Sequence, residues 1–260
     1  MPTKYNTIGK TYTSTRAADP RITSRLIELL GLPPHSSLID IGAGTGNYSF
    51  ALAECGHNVM AVEPSWVMRE QAQAHQRLTW QEASAENLPF ADKQFQGAVM
   101  TLCLHHMDDW QQGIKEALRV TGGGPLVAFA FDIHHKSNFW LFDYFPEFID
   151  IDKNWAASLQ ELNDFVEQDL KGSFDCQRFP LPKDLIDHFA AAAWARPELY
   201  LQEKYRNGIS SFSKINKEVL QQKLTHLKNE LDSGEWKRKY GELLQQEFYD
   251  RGYVFLTIHS

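Results

Sequence analysis

A glycine-rich turn after a short apolar segment constrains the fold of this chain more than any other feature. Residues 38–41 (Leu-Ile-Asp-Ile) have the apolar character of a buried parallel strand. Gly42, Gly44 and Gly46 follow, and glycines at alternate positions let the backbone turn tightly and approach a ligand closely. The alanine-rich segment 48–54 is typical of a helix. A strand, a glycine turn and a helix start predict a nucleotide-binding crevice.

The spacing of these glycines bears on which ligand the turn holds. A dinucleotide site uses G-x-G-x-x-G, in which backbone N–H groups and the helix dipole hold a pyrophosphate. Here the third glycine comes one residue early, and Asn47 stands where it would fall. Asp40 places a negative charge near the pyrophosphate position, whereas the same carboxylate suits a cationic amino group. A nicotinamide dinucleotide and a loop that only connects two elements are the alternatives at this point.

Composition argues against several classes of protein. A chain of 260 residues is long enough for one large domain or for a domain with an elaborated cap. The net charge of −7 argues against a broad nucleic-acid-binding surface. Cys55, Cys103 and Cys176 are too widely spaced for a zinc or disulfide framework, so we expect no metal and a cytoplasmic location. No apolar run is long enough to cross a bilayer, and we expect no membrane association.

Strands and helices alternate after the glycine turn. Further strands are predicted at 58–63, 78–81, 95–101 and 126–131, and this alternation predicts a parallel sheet with helices on both faces. The second strand ends in Glu63, where an acid can accept hydrogen bonds from two ribose hydroxyls. Ligands of open α/β sheets bind outside the carboxyl ends of the strands. The loop after Thr101, which carries His105 and His106, is therefore expected at the site.

Two segments between these strands offer contacts to an adenine ring. Met68 lies one turn into the helix that Ser65 begins, where it packs either on the adenine face or in the core. The loop before Pro89 follows the third strand, and Glu86 or the backbone N–H groups near Ala85 are candidates for reading the adenine edge. The alternative for this loop is an ordinary surface turn.

Four of these features together resemble the class I S-adenosylmethionine (SAM)-dependent methyltransferases of the type 11 group. The matching segments are 40–46 (motif I), Glu63 (the ribose-binding acid), 84–86 (the loop beside the adenine) and 104–107 (the segment after strand four). The resemblance covers residues 5–135 and resumes at the C-terminus. It implies SAM as the cofactor and a SAM-dependent methyltransferase as the enzyme.

The resemblance also implies the fold and the cofactor contacts. The fold is an α/β doubly wound, Rossmann-like sheet of seven strands with a helical cap, mostly parallel, whose last strand inserts antiparallel between strands five and six. In relatives with an N-terminal Tyr…Tyr…Arg arm the arm folds over the cofactor, and Tyr12 and Arg16 are the matching positions. As part of such a lid, Arg16 would meet the SAM carboxylate; the alternative is a partly ordered arm that lies on the surface. The predicted cofactor-binding residues are Tyr12, Arg16, Asp40, Gly42, Gly44, Asn47, Glu63, Met68, Ala85, Glu86 and Thr101.

The remaining sequence predicts a cap on a single domain that spans residues 1–260. The predicted parts are a SAM-binding core at 36–135, cap insertions at 136–170 and 208–250, and a final strand at 252–259. Between the insertions, alternation predicts a sixth strand at 174–179, and Pro182 is predicted to begin a helix through Phe189.

The cap insertion that follows strand five is rich in aromatic residues, and two predictions concern the methyl acceptor. These rings are expected to form a largely apolar substrate pocket with Trp140 in its lining, or else a small core of the cap. His106 is a candidate for the acceptor site and the one candidate catalytic residue; otherwise it packs or caps the next helix.

The predicted function is methyl transfer from SAM to a small, partly apolar acceptor by a monomer or small homo-oligomer. Two alternatives remain at this stage. One is an NAD-dependent oxidoreductase, which the glycine spacing and Asp40 disfavour. The other is a SAM-binding protein without transferase activity. A nucleic-acid substrate is disfavoured by the negative net charge.

Overall fold

The computed structural model describes residues 16–132, 134–149 and 157–260. Its strands are β1 (Ser37–Ile41), β2 (Asn58–Val62), β3 (Leu78–Gln81), β4 (Gly97–Thr101), β5 (Leu126–Phe131), β6 (Ser173–Arg178), β7 (Leu181–Pro182), β8 (Phe248–Tyr249) and β9 (Tyr253–His259). Within this described part, seven strands form one sheet in the order β3-β2-β1-β4-β5-β9-β6, and β7 pairs with β8 separately.

The pairing of the strands confirms the predicted fold class. β1 runs parallel to β2 and β4, β2 runs parallel to β3, and β4 runs parallel to β5. β9 pairs antiparallel with both β5 and β6, which is the inserted last strand that the resemblance implies. The strand order reverses between β1 and β4, and ligands of open α/β sheets bind at such a switch point.

The helices pack around this sheet and above its carboxyl edge. They are α1 (Pro20–Leu30), α2 (Asn47–Glu54), α3 (Trp66–Arg69), α4 (Trp110–Thr121), α5 (Leu141–Tyr144), α6 (Leu159–Asp164), α7 (Glu203–Asn207), α8 (Lys217–Ser233) and α9 (Glu235–Tyr240). Short 3₁₀ turns lie at Leu104–His106, Pro197–Leu201, Ser210–Lys214 and Gly241–Gln245, and a π turn lies at Phe165–Asp169. Of the helices described, none is both long and apolar enough to span a bilayer.

The ends of α1 follow from its sequence. The carboxylate of Asp19 accepts the Arg21 N–H and caps the first turn, and Pro20 occupies the first helical position, as predicted. Gly31 ends the helix in the left-handed region at φ 60°, and its N–H bonds back to the last carbonyls.

The central strands β1, β4 and β5 are buried on both faces, which explains their continuous apolar character. Leu38, Val99 and Val127 belong to the apolar cluster on one face, and Ile39 and Ala98 belong to the cluster on the other. The alternation of side chains along each strand sends neighbouring residues to opposite faces.

The helix predicted to begin at Pro182 is wrong. Pro182 belongs to β7 and pairs with Phe248, and residues 183–196 form turns and irregular backbone. Asp187 in this segment is fully buried and binds Arg16 and Tyr48 through its carboxylate. This tertiary contact explains why the helical spacing of the apolar residues does not produce a helix.

Trp140 is not a substrate-binding residue in this structure, which corrects the prediction. Its side chain is fully buried, and its indole N–H donates to the Trp194 carbonyl at 2.8 Å. Its ring packs edge-on against Tyr144, Tyr200 and Trp236. Trp140 therefore belongs to the core of the cap, where complete burial of its large apolar ring stabilises the fold.

Candidate cofactor and acceptor site

The glycine turn is hydrogen-bonded to the end of β2. The N–H groups of Gly42 and Ala43 both donate to the Val62 carbonyl, at 2.9 and 3.0 Å. Gly42 has φ 71°, and a Cβ there would lie 2.6 Å from the Cys103 Cβ. Gly46 has φ 78°, and a Cβ there would lie 2.5 Å from the Trp80 ring. Both positions therefore need glycine for backbone conformation and for space.

Glu63 holds the turn in place from the end of β2. One carboxylate oxygen accepts the Gly44 N–H at 3.0 Å and the other accepts the Ser65 N–H at 2.8 Å. The side chain is buried, and burial raises the pKa of its carboxyl group. A carboxylate has about four acceptor positions, so Glu63 keeps capacity for further donors such as ribose hydroxyls.

Asp40 and Thr101 lie at the carboxyl ends of the neighbouring strands β1 and β4. Asp40 Oδ2 accepts the Ser49 hydroxyl, but Asp40 Oδ1 and Thr101 Oγ1 are buried and have no hydrogen-bond partner among the described residues. Burial, aided by the nearby Glu63, raises the pKa of Asp40 to about 6. Buried polar atoms usually have a hydrogen-bond partner, and a ligand bound at these strand ends could supply one to both atoms.

Arg16 connects the end of the N-terminal segment to the site. Its guanidinium forms an ion pair with Asp187, whose second oxygen also accepts the Tyr48 hydroxyl at 2.9 Å. Asn47 donates to the Arg16 carbonyl at 3.0 Å. Burial, together with Asp187, raises the pKa of Tyr48 well above its usual value. Tyr12, the other predicted residue of the arm, lies outside the described residues.

Asp187 and Tyr48 were missed by the sequence analysis. Asp187 lies 171 residues from Arg16 along the chain, and no local motif marks it. The only available signal was a lone acid in an apolar segment, which by itself indicates no partner.

The predicted adenine-binding residues lie on helix α3 and on the loop after β3. The buried Met68 covers the turn, because its Cε lies 3.4 Å from the Cβ position of Gly44. Ala85 packs against α4 opposite Gly113. One oxygen of Glu86 accepts the Asp108 N–H at 3.1 Å, and the other accepts the Ser84 hydroxyl. Glu86 thus ties its loop to the start of α4, and its role toward an adenine stays a prediction.

A cavity of about 90 Å³ lies next to the loop after β4. Its polar lining includes Arg16, His105, His106 and Arg251, and its apolar lining is mainly aromatic: Phe131, Phe139, Phe142, Phe148, Phe189 and Tyr253. The aromatic insertion therefore does contribute to a pocket, through Phe139, Phe142 and Phe148 and not through Trp140. Arg16 belongs both to this cavity and to the arm beside the glycine turn, so the two sites adjoin.

The loop after β4 is held in a strained conformation. Leu102 has φ 53°, which side-chain-bearing residues rarely adopt, and its N–H donates to the Phe129 carbonyl at 2.8 Å. In the following 3₁₀ turn the His105 and His106 rings lie with their centroids 3.8 Å apart and their planes tilted by 47°. Backbone strain of this kind concentrates at functional sites, where it aims side chains that regular structure would not.

Comparisons with known proteins agree with this geometry. A family model described as a methyltransferase domain, of the type 11 group, matches residues 39–129. A solved structure from Anabaena variabilis, described as a methyltransferase from an antibiotic biosynthesis pathway, is 42% identical with a TM-score of 0.91. That match covers 95% of this chain and 99% of the Anabaena chain.

Curated relatives match over shorter stretches. The demethylmenaquinone methyltransferase of Corynebacterium urealyticum is 32% identical over 135 residues, which are 50% of this chain and 58% of that protein. The malonyl-[acyl-carrier protein] O-methyltransferase of Pectobacterium atrosepticum is 36% identical over 112 residues, which are 41% of this chain and 42% of that protein. The chain spans only 39% of the first curated relatives that it matches, proteins of Mycobacterium.

The match to the Anabaena protein spans nearly the whole of both chains, and this chain therefore belongs to the class I SAM-dependent methyltransferases of the type 11 group. SAM is the cofactor of the site. The residues present fit it: a glycine turn gives close backbone approach, and the unpartnered Asp40 Oδ1 and Thr101 Oγ1 offer polar contacts. The NAD alternative is thereby set aside.

Replacing Asp40 by asparagine is expected to stabilise the cofactor-free protein at pH 7.5 by about 1–3 kcal/mol. The folded-state pKa of Asp40 is about 6, above the ordinary value of 3.8. The protonated carboxyl group therefore contributes its full stabilisation below pH 3.8, and this contribution is lost as the pH rises through 6. The asparagine cannot ionise. Urea unfolding from pH 4 to pH 8 should therefore show a difference from wild type that grows with pH.

The matched control for this variant is Asp92→Asn. The Asp92 side chain is 72% exposed, so its replacement should change the free energy of unfolding by less than about 0.5 kcal/mol. Asp40→Asn should also bind SAM about tenfold more weakly, because a negative charge beside a cationic ligand is lost. Equal stability of Asp40→Asn and wild type at every pH would contradict the ionisation of Asp40.

Proposed function

We propose that this chain transfers the methyl group of SAM to a small, partly apolar acceptor bound in the cavity beside the loop after β4. The observation that carries the proposal is the shared position of Arg16, which lines the cavity and is tied to the glycine turn through Asn47. SAM supplies a methyl group already activated on a sulfonium. The chain's own part is to orient the acceptor and to exclude water, and the aromatic lining supports both.

The predicted cofactor contacts form part of the same proposal. Glu63 holds the ribose hydroxyls, Asp40 and Thr101 face the amino-acid end of the cofactor, and Met68, Ala85 and Glu86 border the adenine. Gly42, Gly44 and Asn47 supply the turn, and Tyr12 and Arg16 cover the cofactor, with Arg16 toward its carboxylate. The arrangement of Asp40, Glu63 and Thr101 at one sheet edge supports the assignment.

We assign to His106 a place beside the acceptor atom, where its imidazole can accept the proton of a weakly acidic acceptor. The position of His106 in the cavity lining supports this role. The negative net charge and the spacing of the cysteines support a cytoplasmic protein that acts on a small molecule, not on nucleic acid or at a membrane, as a monomer or small homo-oligomer.

The experiment that tests the function has two stages. Calorimetric titration should show binding of SAM and S-adenosylhomocysteine but not of NAD. A screen of small, partly apolar acceptors should then release S-adenosylhomocysteine, and His106→Ala should lower the rate about 100-fold while His105→Ala lowers it less. Binding without release from any acceptor would instead support a SAM-binding protein without transferase activity, and an unchanged rate in His106→Ala would remove that residue from the mechanism.

A further inference from the structure

Ser49 is a buried polar residue of α2 that contacts Asp40. Its side chain is fully buried, and its hydroxyl donates to Asp40 Oδ2. A serine inside a helix ordinarily donates to the carbonyl four residues earlier or faces water. Ser49 instead donates to a carboxylate of β1. Because burial of an unpaired hydroxyl is costly, this hydrogen bond accounts for the presence of a serine in the core of the domain.

The glycine turn brings Ser49 and Asp40 together. Asp40 belongs to β1, and Ser49 lies nine residues later in the first turn of α2. The three glycines between them all have left-handed backbone conformations, which let the chain reverse over this short distance. The hydrogen bond therefore spans the strand, turn and helix that form the cofactor crevice.

The hydrogen bond leaves one oxygen of Asp40 for a ligand. Asp40 Oδ1 is buried and has no hydrogen-bond partner among the described residues. A carboxylate group is planar and rigid, so a bond that fixes one oxygen also fixes the position of the other. A contact atom that is held in place before binding lowers the entropy cost of binding.

The charges around Asp40 favour a cationic ligand group. In the described part of the chain, the groups that act on the charge of Asp40 are the Ser49 hydroxyl, the Glu63 carboxylate and the Cys103 thiol, and none of them is a cation. Burial raises the pKa of Asp40 to about 6, the Ser49 hydrogen bond opposes this rise and Glu63 adds to it. The one cationic group that SAM and S-adenosylhomocysteine share is the ammonium of the amino-acid end.

We propose that Ser49 is a positioning residue, whose hydroxyl holds Asp40 so that Oδ1 accepts a hydrogen bond from the cofactor ammonium. This inference rests on the proposed function and extends it to a residue that does not itself contact the cofactor. Since Ser49 acts through Asp40, its removal should affect recognition of the ammonium and leave the other cofactor contacts intact.

Two ligands separate the ammonium from the rest of the cofactor. S-adenosylhomocysteine carries the ammonium, and an analogue in which 4-thiobutanoate replaces homocysteine keeps the adenosine, the sulfur and the carboxylate without it. Calorimetry on the full-length wild type at pH 7.5 should find S-adenosylhomocysteine bound about tenfold to a hundredfold more tightly than the analogue. Ser49→Ala should bind S-adenosylhomocysteine about tenfold more weakly and the analogue equally well. The control Ser233→Ala, which removes an exposed hydroxyl from α8, should match wild type with both ligands.

A double variant tests whether Ser49 acts through Asp40. Asp40→Asn alone should weaken S-adenosylhomocysteine binding about tenfold, because the charge beside the ammonium is lost. Adding Ser49→Ala to Asp40→Asn should then change the affinity less than about twofold, whereas two independent contributions would multiply.

The pH dependence of binding is a readout that a purely structural role of Ser49 would not change. Protonation of Asp40 removes its attraction for the ammonium, so the wild-type affinity for S-adenosylhomocysteine should fall as the pH drops through about 6. The Ser49 hydrogen bond lowers the pKa of Asp40, so in Ser49→Ala this fall should begin at a higher pH. The analogue shares the proposed ribose contact of Glu63, and the ratio of the two affinities therefore removes the titration of Glu63 from the profile.

The outcomes separate this inference from the proposed function. Wild-type protein that does not bind S-adenosylhomocysteine would contradict the proposed function itself. If wild type binds it normally, equal weakening of both ligands in Ser49→Ala would overturn the inference alone, because the hydroxyl would then support the whole turn. Equal binding of both ligands by wild type, an unchanged affinity in Ser49→Ala, multiplied losses in the double variant or an unshifted pH profile would also overturn it.

Discussion

Replacing Glu63 by alanine is expected to lower the affinity for SAM by about 100- to 1,000-fold. The substitution removes the acceptor for the Gly44 and Ser65 N–H groups, and charge-assisted hydrogen bonds of this kind contribute about 1.5–3 kcal/mol each. It also removes the acid proposed to hold the ribose. Calorimetric titration with SAM gives the affinity directly.

The control for this variant is Glu167→Ala, which removes an exposed carboxylate from the π turn and should leave the affinity for SAM unchanged. Glu63→Gln keeps one acceptor oxygen and should fall between alanine and wild type. If Glu63→Ala bound SAM as tightly as wild type, Glu63 would neither be needed to position the glycine turn for the cofactor nor contact the ribose.

Replacing Asp187 by alanine is expected to destabilise the protein by about 3–5 kcal/mol. The two side chains of the Arg16–Asp187 pair are only 10% and 1% exposed, and removing one partner of a buried ion pair is strongly destabilising. The Tyr48 hydroxyl loses its acceptor at the same time. Urea unfolding of the cofactor-free protein measures the loss.

Two further variants test whether the lost stability comes from breaking the buried ion pair. Asp184→Ala removes an exposed carboxylate that pairs with Arg21, and it should cost less than about 1 kcal/mol. The double variant Arg16→Met with Asp187→Leu should recover most of the stability, because apolar side chains then replace both partners of a buried ion pair. If Arg16 binds the cofactor carboxylate, the double variant should still bind SAM weakly; full recovery of affinity would refute that contact.

Much of the fold is predictable from the sequence because its signals are local. The Asp19–Pro20 start and the Gly31 end of α1 depend on bonds within a few residues of each other. The glycine turn is predictable for the same reason, because the left-handed backbone conformation depends on the type of each single residue. The failure at Pro182 is equally instructive, because there a buried carboxylate contact overrides the apolar spacing.

The cofactor side of the candidate site was more predictable than the acceptor side. Asp40, Glu63 and Thr101 each stand at a strand end, and strand ends of a parallel sheet meet at one edge. The aromatic insertion carried no comparable rule. Composition indicated a pocket or a cap core, but only packing decided that Trp140 belongs to the core while Phe139 and Phe142 line the cavity.

The sequence by itself determined the doubly wound sheet, the glycine turn and the acids beside it, because these depend on backbone preferences and on residue order over short distances. The tertiary structure alone decided that Asp187 pairs with Arg16 and that the turn before β9 brings Arg251 to the cavity beside the loop after β4. The physical reason is that contacts between distant segments depend on how whole elements pack, and no local preference encodes them.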